Sequence, residues 1–335
     1  MGVDLQPQYW RGRKVLVTGA GGFIGSHLVE RLMTLGASVT AFLRYNSRND
    51  AGFLELLGDR KKELQIVFGD IRDLAAVREA VTRIDTVFHL AALVGIPYSY
   101  VHPEEVVAVN TNGTLSVLTA VRDAGVSRVV VTSTSEVYGT ALYVPIDEKH
   151  PKQPQSPYSA SKIAGDAIAL SYHLSFGVPV SVLRPFNTFG PRQSDRAIIP
   201  TIISQGLVKK EIVLGNMSPT RDFTFVSDTV EGFLLAGEST GAIGTEINLG
   251  TGQEVSIGDL AKTIAGMLGG DIAIRQAGER TRPPKSEVQR LLSDNRRAGE
   301  LLGWSPAKTL EEGLAETIQW VRQRLAMYDP DSYRI

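Results

Sequence analysis

Residues 14–36 read KVLVTGAGGFIGSHLVERLMTLG. Lys14 to Thr18 is a short, largely β-branched run, and it opens directly onto glycines at 19, 22 and 25. Beyond them Phe23, Ile24, Leu28, Leu32 and Leu35 recur at the spacing of a helix packed on a sheet. Glycine at these positions permits a tight turn, close approach of the backbone to a pyrophosphate, and close helix–strand contact. The helix N-terminus adds free N–H groups and a positive dipole end. Set between a strand and a helix, Gly19, Gly22 and Gly25, with Phe23 and Ile24, read as cofactor-binding residues; a generic glycine-rich turn is the plainer alternative.

The alternation continues downstream. Ser38 to Leu43, Leu64 to Phe68, Asp85 to Leu90 and Val129 to Val131 have strand character, and Leu74 to Val81 reads as a helix. Strands alternating with helices predict an α/β fold with a doubly wound parallel (Rossmann) sheet. Asp70, Ile71, Leu90, Ala91 and Ala92 follow two of these strands and are expected to border the cofactor, Asp70 by contacting an adenine amine. The second strand ends in Leu43 and is followed by Arg44, Tyr45, Asn46, Ser47 and Arg48, with no carboxylate before Asp50. Two guanidiniums and a hydroxyl suit a ribose 2′-phosphate, so Arg44, Ser47 and Arg48 predict NADP, with NAD as the alternative if the arginines only face solvent. His89 reads as a packed residue at a strand end. Glu104 to Ala124 reads as one long helix in which Asn110 bonds main chain at a bend.

Composition narrows the classes. In 335 residues, 35 basic and 36 acidic side chains nearly cancel, so no global field argues for nucleic acid or an anionic membrane as partner. There is no cysteine, which excludes disulfides, thiolate catalysis and cysteine metal sites. The five histidines show no ligand spacing, and no metal site is expected. The first residues lack a signal-peptide core and no stretch approaches a spanning helix, which predicts a cytoplasmic location.

Residues 131–139 read VTSTSEVYG. Polar groups massed after an apolar strand are well placed to touch a substrate in a parallel sheet, although a Ser/Thr-rich turn bonding local backbone would look the same. Further on, Tyr158 and Lys162 stand four apart and share one face of a helix. An ammonium beside a phenol favours the phenolate, as a base near neutrality requires. That spacing arises often by chance; together with the glycine turn and the hydroxyl cluster it forms a constellation.

These motifs, with Arg184-Pro-Phe-Asn-Thr-Phe-Gly-Pro-Arg192, Thr220-Arg-Asp-Phe223 and Arg282-Pro283, resemble the extended short-chain dehydrogenase/reductase family in its nucleotide-sugar epimerase/dehydratase branch. The resemblance covers roughly residues 14 to 325. It implies a dinucleotide-binding domain over 12–197, receiving a returning segment near 223–250, and a smaller C-terminal substrate-binding lobe over 198–330. It also implies a homodimer joined through Glu104–Ala124 and Pro157–Phe176, and a nucleotide-sugar substrate. By the same resemblance, Tyr158 takes the sugar O4 proton while hydride leaves C4, Lys162 tunes the tyrosine and holds ribose, and Thr134 orients the sugar. Asn187, Arg192, Arg221 and Arg282 are the expected substrate-binding residues.

The reaction turns on residues 134–136. Simple 4-epimerases usually lack a carboxylate at the position of Glu136, whereas a 4,6-dehydratase uses one to remove the C5 proton. Many such enzymes have Thr-Asp-Glu, with the aspartate as acid; here the triplet is Thr134-Ser135-Glu136. That form is similar to GDP-mannose 4,6-dehydratases and also to UDP-glucuronate decarboxylases. The overall wording resembles most the N-acetylglucosamine nucleotide dehydratases of legionaminic acid pathways. The expected activity is therefore a GDP- or UDP-linked sugar 4,6-dehydratase, with decarboxylase and 4-epimerase as alternatives. A non-catalytic cofactor-sensing protein on the same fold is the reading from another class.

Overall fold

A computed structural model describes residues 6–277 and 287–330. Seven strands form the main sheet: β1 (Lys14–Thr18), β2 (Ser38–Arg44), β3 (Gln65–Gly69), β4 (Thr86–His89), β5 (Arg128–Thr132), β6 (Val180–Pro185) and β7 (Glu246–Leu249). All pairings are parallel, in the order β7-β6-β5-β4-β1-β2-β3. The sequence reading of the doubly wound sheet holds, with strand ends within about a residue or two of those expected.

Both faces of the sheet are covered, which is why its strands read as continuous apolar runs. Side chains alternate between two cores with the period of a strand. Val15, Val17, Ala41, Phe88, Val130 and Leu183 face one core, which contains α1 (Phe23–Thr34) and the later helix Val226–Glu238. Leu16, Phe42, Val87, Val129, Val131 and Val182 face the other. There they meet α2 (Leu74–Ala80), α3 (Gly113–Ala124) and α4 (Pro157–Phe176).

Glu104–Ala124 is a continuous helical stretch, as expected, with one irregularity: Pro103–Val107 is α-helical, Ala108–Asn112 is a π-turn, and α3 follows. The widened turn lets Asn110 reach out of the helix, where Oδ1 accepts from Leu93 N at 2.8 Å and Nδ2 donates to Leu93 O and Ser161 Oγ at 3.1 and 2.9 Å. Its main-chain role was foreseen. Within the segment 223–250, Thr224–Phe225 pairs with Thr188–Phe189 outside the main sheet. The strand that rejoins the main sheet is β7.

Beyond β6 lies α5 (Ile198–Lys209), and after it Glu211–Leu214 pairs in parallel with Ala273–Gln276. Among the described residues no helix is long and apolar enough to cross a membrane.

One polar contact ties the sheet together at its centre. Buried His89 meets Thr18 Oγ1 at 2.8 Å through Nδ1 and Thr114 Oγ1 at 3.1 Å through Nε2. Burial, with Lys162 adding, pushes its pKa down to about 3. His27 on α1 is pushed down to about 4, by burial first and then by Arg192. Both values lie below the ordinary 6.5, so each neutral imidazole stabilises the fold fully above about pH 6.5, and that contribution is lost as pH falls toward 4 and then 3. Thermal unfolding across this range is therefore expected to show falling stability on acidification. The His89→Gln variant should show a shallower fall and lose about 1–3 kcal/mol at neutral pH. An unchanged pH slope in that variant would contradict the assignment.

Candidate active site

β1 and β4 are neighbours from which the chain winds in opposite directions, and a crevice opens outside their carboxyl ends. Thr18 organises this point: its Oγ1 accepts from the N–H groups of Leu90 and Ala91, both at 3.1 Å. The cleft here has a volume of about 1010 Å³, at the upper end of the range for one small ligand, and it suits a cofactor and a substrate side by side.

At one end stands the glycine turn. A Cβ on Gly19 would lie 2.8 Å from Ala91 N, and one on Gly25 only 2.3 Å from Gly19 O, so Gly19 lets the turn approach the backbone after β4 and Gly25 lets α1 press onto the turn. Gly22 differs: a Cβ there would meet only Gly19 O at 3.3 Å, and Gly22 lines the cleft. Gly22 is also the N-cap of α1 and supplies no side-chain cap, which leaves the first-turn N–H groups directed at the cleft. This arrangement fits a pyrophosphate. Phe23, Ile24, Asp70, Ile71, Leu90, Ala91 and Ala92 line the same cleft.

The expected arginine clamp is not assembled. Arg44 lines the cleft, but its guanidinium lies 3.7 Å from the Glu105 carboxylate, and Ser47 and Arg48 are not among the lining residues. The chain turns away after β2, where Asn46 Oδ1 accepts from Arg48 N and Asp50 N. Asp50 instead borders the cleft, oriented by a 2.7 Å bond from Gly52 N. Asp70 is held by Arg72 through bonds of 2.9 and 2.6 Å, and this guanidinium draws its pKa down to about 2.

The catalytic candidates gather at the middle. Thr134, Ser135, Glu136, Tyr158 and Lys162 all line the cleft. The polar stretch leaves β5 and makes a short 3-10 turn, Ser135–Tyr138, with Thr134 as its N-cap accepting from Glu136 N. Tyr158 and Lys162 project from the first turns of α4, whose start is fixed by Ser156 and Ser159 in a capping box. The Lys162 ammonium donates to Thr132 O at 2.6 Å. The electrostatics differ from the simple expectation of a phenol lowered by lysine. Burial dominates and holds Tyr158 above its ordinary range; a bond with Thr134 opposes this, while Glu136 and Asp166 add to it. Burial also lowers Lys162, against the pull of Asp166.

Of the substrate candidates, Asn187 and Arg221 line the cleft. Asn187 Nδ2 is buried without a protein partner, as are Thr132 Oγ1 and Gln193 Oε1 on the same wall. Three partnerless polar atoms on residues that line one cleft fit a polar ligand. Arg221 donates to Thr220 O at 2.9 Å and lies 3.5 Å from Glu287. Arg192 is not brought to the cleft: it bonds Glu30 at 2.7 Å and Ser26 at 3.2 Å on α1. Arg282 lies outside the described residues. Sequence reasoning missed Asp50, Tyr98, Gln193 and Asn216 as lining residues. Gln193 follows the Gly190-Pro191-Arg192 motif directly, so adjacency to a motif was the available signal there.

Known proteins agree with this geometry. The family model described as GDP-mannose 4,6 dehydratase matches residues 16–317. A UDP-glucose 4-epimerase of Mycolicibacterium smegmatis is 36% identical over 319 residues, covering 93% of this chain and 99% of that protein. UDP-glucuronic acid decarboxylase 1 of Xenopus tropicalis is 33% identical over 321 residues, covering 93% of this chain and 73% of that one. The structure of DesIV, a dTDP-glucose 4,6-dehydratase from Streptomyces venezuelae solved with NAD bound, superposes with a TM-score of 0.85 at 30% identity, covering 95% of this chain and 99% of that chain.

The glycine turn gives a clean test. Gly25→Ala is expected to cost roughly 1–3 kcal/mol of stability, because the new methyl meets backbone that cannot yield. Gly22→Ala should fold within about 0.5 kcal/mol of the parent yet bind nicotinamide cofactor at least about tenfold more weakly by calorimetry. Unimpaired binding by Gly22→Ala would remove the pyrophosphate from this position.

Proposed function

The chain belongs to the extended short-chain dehydrogenase/reductase family, in the group described by the GDP-mannose 4,6-dehydratase model, and on that premise we propose that it is a nucleotide-sugar 4,6-dehydratase. The observation that carries this reading is Glu136, a carboxylate lining the same cleft as Tyr158 and Thr134. Re-reduction of a 4-keto sugar at C4 needs no such group; removal of the C5 proton does.

Gly19, Gly22 and Gly25 would hold a nicotinamide cofactor, which in its oxidised form would supply the hydride acceptor for C4. Tyr158 accepts the O4 proton, and the Thr134 bond, which favours the phenolate, supports it. Lys162, anchored on Thr132 O, holds the ribose side of the cleft. Glu136 then takes the C5 proton, which the neighbouring ketone has made acidic. Ser135 is buried and a poor acid, so Glu136 returns that proton, directly or through water, to the departing C6 hydroxyl. Hydride returned to C6, with a proton from solvent added at C5, would complete the reaction, so that the sugar has lost one water and no cofactor is consumed.

Asn187, Gln193 and Arg221 are read as the nucleotide side of the substrate site. The cofactor is read as NAD rather than the NADP expected from Arg44, Ser47 and Arg48, because only Arg44 of that set borders the cleft and Asp50 borders it too. Two copies pairing through α4 would cover Leu174 and Phe176, which are 83% and 55% exposed; a solution mass of one chain would refute that pairing. Decarboxylation of a nucleotide-linked uronic acid is the second reading, favoured by serine where many dehydratases carry aspartate.

Supplied with GDP- and UDP-linked hexoses, N-acetylhexosamines and glucuronate, the protein should convert one of the neutral sugars to a 4-keto product lighter by one water without added reductant. Glu136→Gln should cut that turnover by about 100-fold or more while cofactor reduction by the sugar persists, and Tyr158→Phe should abolish both. Release of carbon dioxide from UDP-glucuronate, or an isomeric product of unchanged mass, would reject the dehydratase reading.

A further inference from the structure

Tyr158, Lys162 and Asp166 stand at four-residue intervals on α4, so they project from one face, and all three are buried. The first two line the cleft and belong to the proposed chemistry; Asp166 does not line it. Its Oδ2 accepts from Ser133 Oγ at 2.8 Å and from Arg184 Nη2 and Nε at 2.9 and 3.2 Å. Ser133 is the first residue beyond β5 and immediately precedes Thr134-Ser135-Glu136. Arg184, fully buried in β6, donates onward to Tyr138 Oη at 2.8 Å. Tyr138 ends the short turn that carries Glu136. One carboxylate behind the cleft therefore grips the segment at both ends, through Ser133 directly and through Arg184 to Tyr138.

We propose that Asp166 is a positioning residue of the active site, fixing Thr134, Ser135 and Glu136 against Tyr158 by holding both ends of the 133–138 segment. This rests on the reading of those side chains as the reacting groups. Its surroundings are charged on every side. Arg184 faces it from β6, Lys152 stands 3.7 Å away on the approach to α4, and Glu246 of β7 bonds both Arg184 and Lys152. Tyr158 and Lys162 lie above it on its own helix, and Glu136 lies across the segment. Asp166 opposes the lowering of Lys162 by burial and adds to the raising of Tyr158. A purely structural ion pair would affect stability alone; a positioning residue also moves the chemistry and the titration of its neighbours.

The full chain, its Asp166→Asn and its Ser133→Ala variants test this with two readouts. The first is the titration of Lys162, followed by NMR of isotope-labelled lysine and assigned with Lys162→Met; it needs no substrate. The second is the single-turnover rate at which a nucleotide sugar reduces bound cofactor, a step shared by dehydration, decarboxylation and epimerisation. Asp166→Asn should move the Lys162 midpoint down and slow cofactor reduction by about tenfold or more, with the half-saturating sugar concentration within about twofold of the parent. Ser133→Ala should slow reduction by about threefold or more, as loss of one hydrogen bond implies, and leave the Lys162 midpoint in place. An unmoved midpoint in Asp166→Asn, or a rate loss no larger than its unfolded fraction, overturns the proposal. Where Asp166→Asn fails to fold, an unchanged rate in Ser133→Ala overturns it instead. Failure of every nucleotide sugar to reduce cofactor in the parent would reject the catalytic reading, and the Lys162 midpoint would then decide the role of Asp166 alone.

Discussion

The bond between Asp166 and Arg184 joins α4 to β6 beneath the point where the chain leaves β5, and both side chains are essentially inaccessible to water. Burial opposes the Arg184 charge, but Asp166, Tyr138 and Glu246 together outweigh it and raise its pKa above the ordinary guanidinium range. A buried pair of this kind adds little net stability against an apolar core, yet losing one partner typically costs about 3–5 kcal/mol, because the other is stranded. Its consequence is geometric. Tyr158 and Lys162 arrive on a helix and Glu136 on a turn after a strand, and the ion pair is what locks those two elements together.

The other constraint is the sheet itself. Seven parallel strands put every loop that matters at one edge, and the reversal of winding between β1 and β4 leaves a crevice there. Thr18 pairs with His89 and holds the Leu90–Ala91 backbone that borders that crevice, Gly25 lets α1 press onto the glycine turn, and Asn216 and Arg221 line the same crevice.

Much of this was legible in the sequence, because it depends on local pattern. Strand, glycine turn and helix at 14–36 have no good alternative packing, and Pro157–Phe176 appears as one helix between the expected ends. The catalytic candidates share one cleft, as the motif reading required. What failed depended on tertiary context. Arg48 and Ser47 turn away because Asn46 folds the loop on itself; Arg192 is captured by Glu30 on α1; and the lysine expected to lower Tyr158 donates to a carbonyl while burial dominates. The π-turn that frees Asn110 leaves no mark in helical periodicity. Asp166 was passed over because an aspartate on a helix normally faces solvent, and only the fold shows what surrounds it.

The central claim is that one cleft oxidises C4, removes the C5 proton through Glu136 and returns the hydride to C6. A nucleotide sugar carrying deuterium at C4, turned over in ordinary water, tests this most directly. The account predicts that NMR of the product finds the deuterium in the new C6 methyl group. Deuterium recovered at C4 would contradict it, because the hydride would then have returned to the carbon it left, as epimerisation and decarboxylation both require.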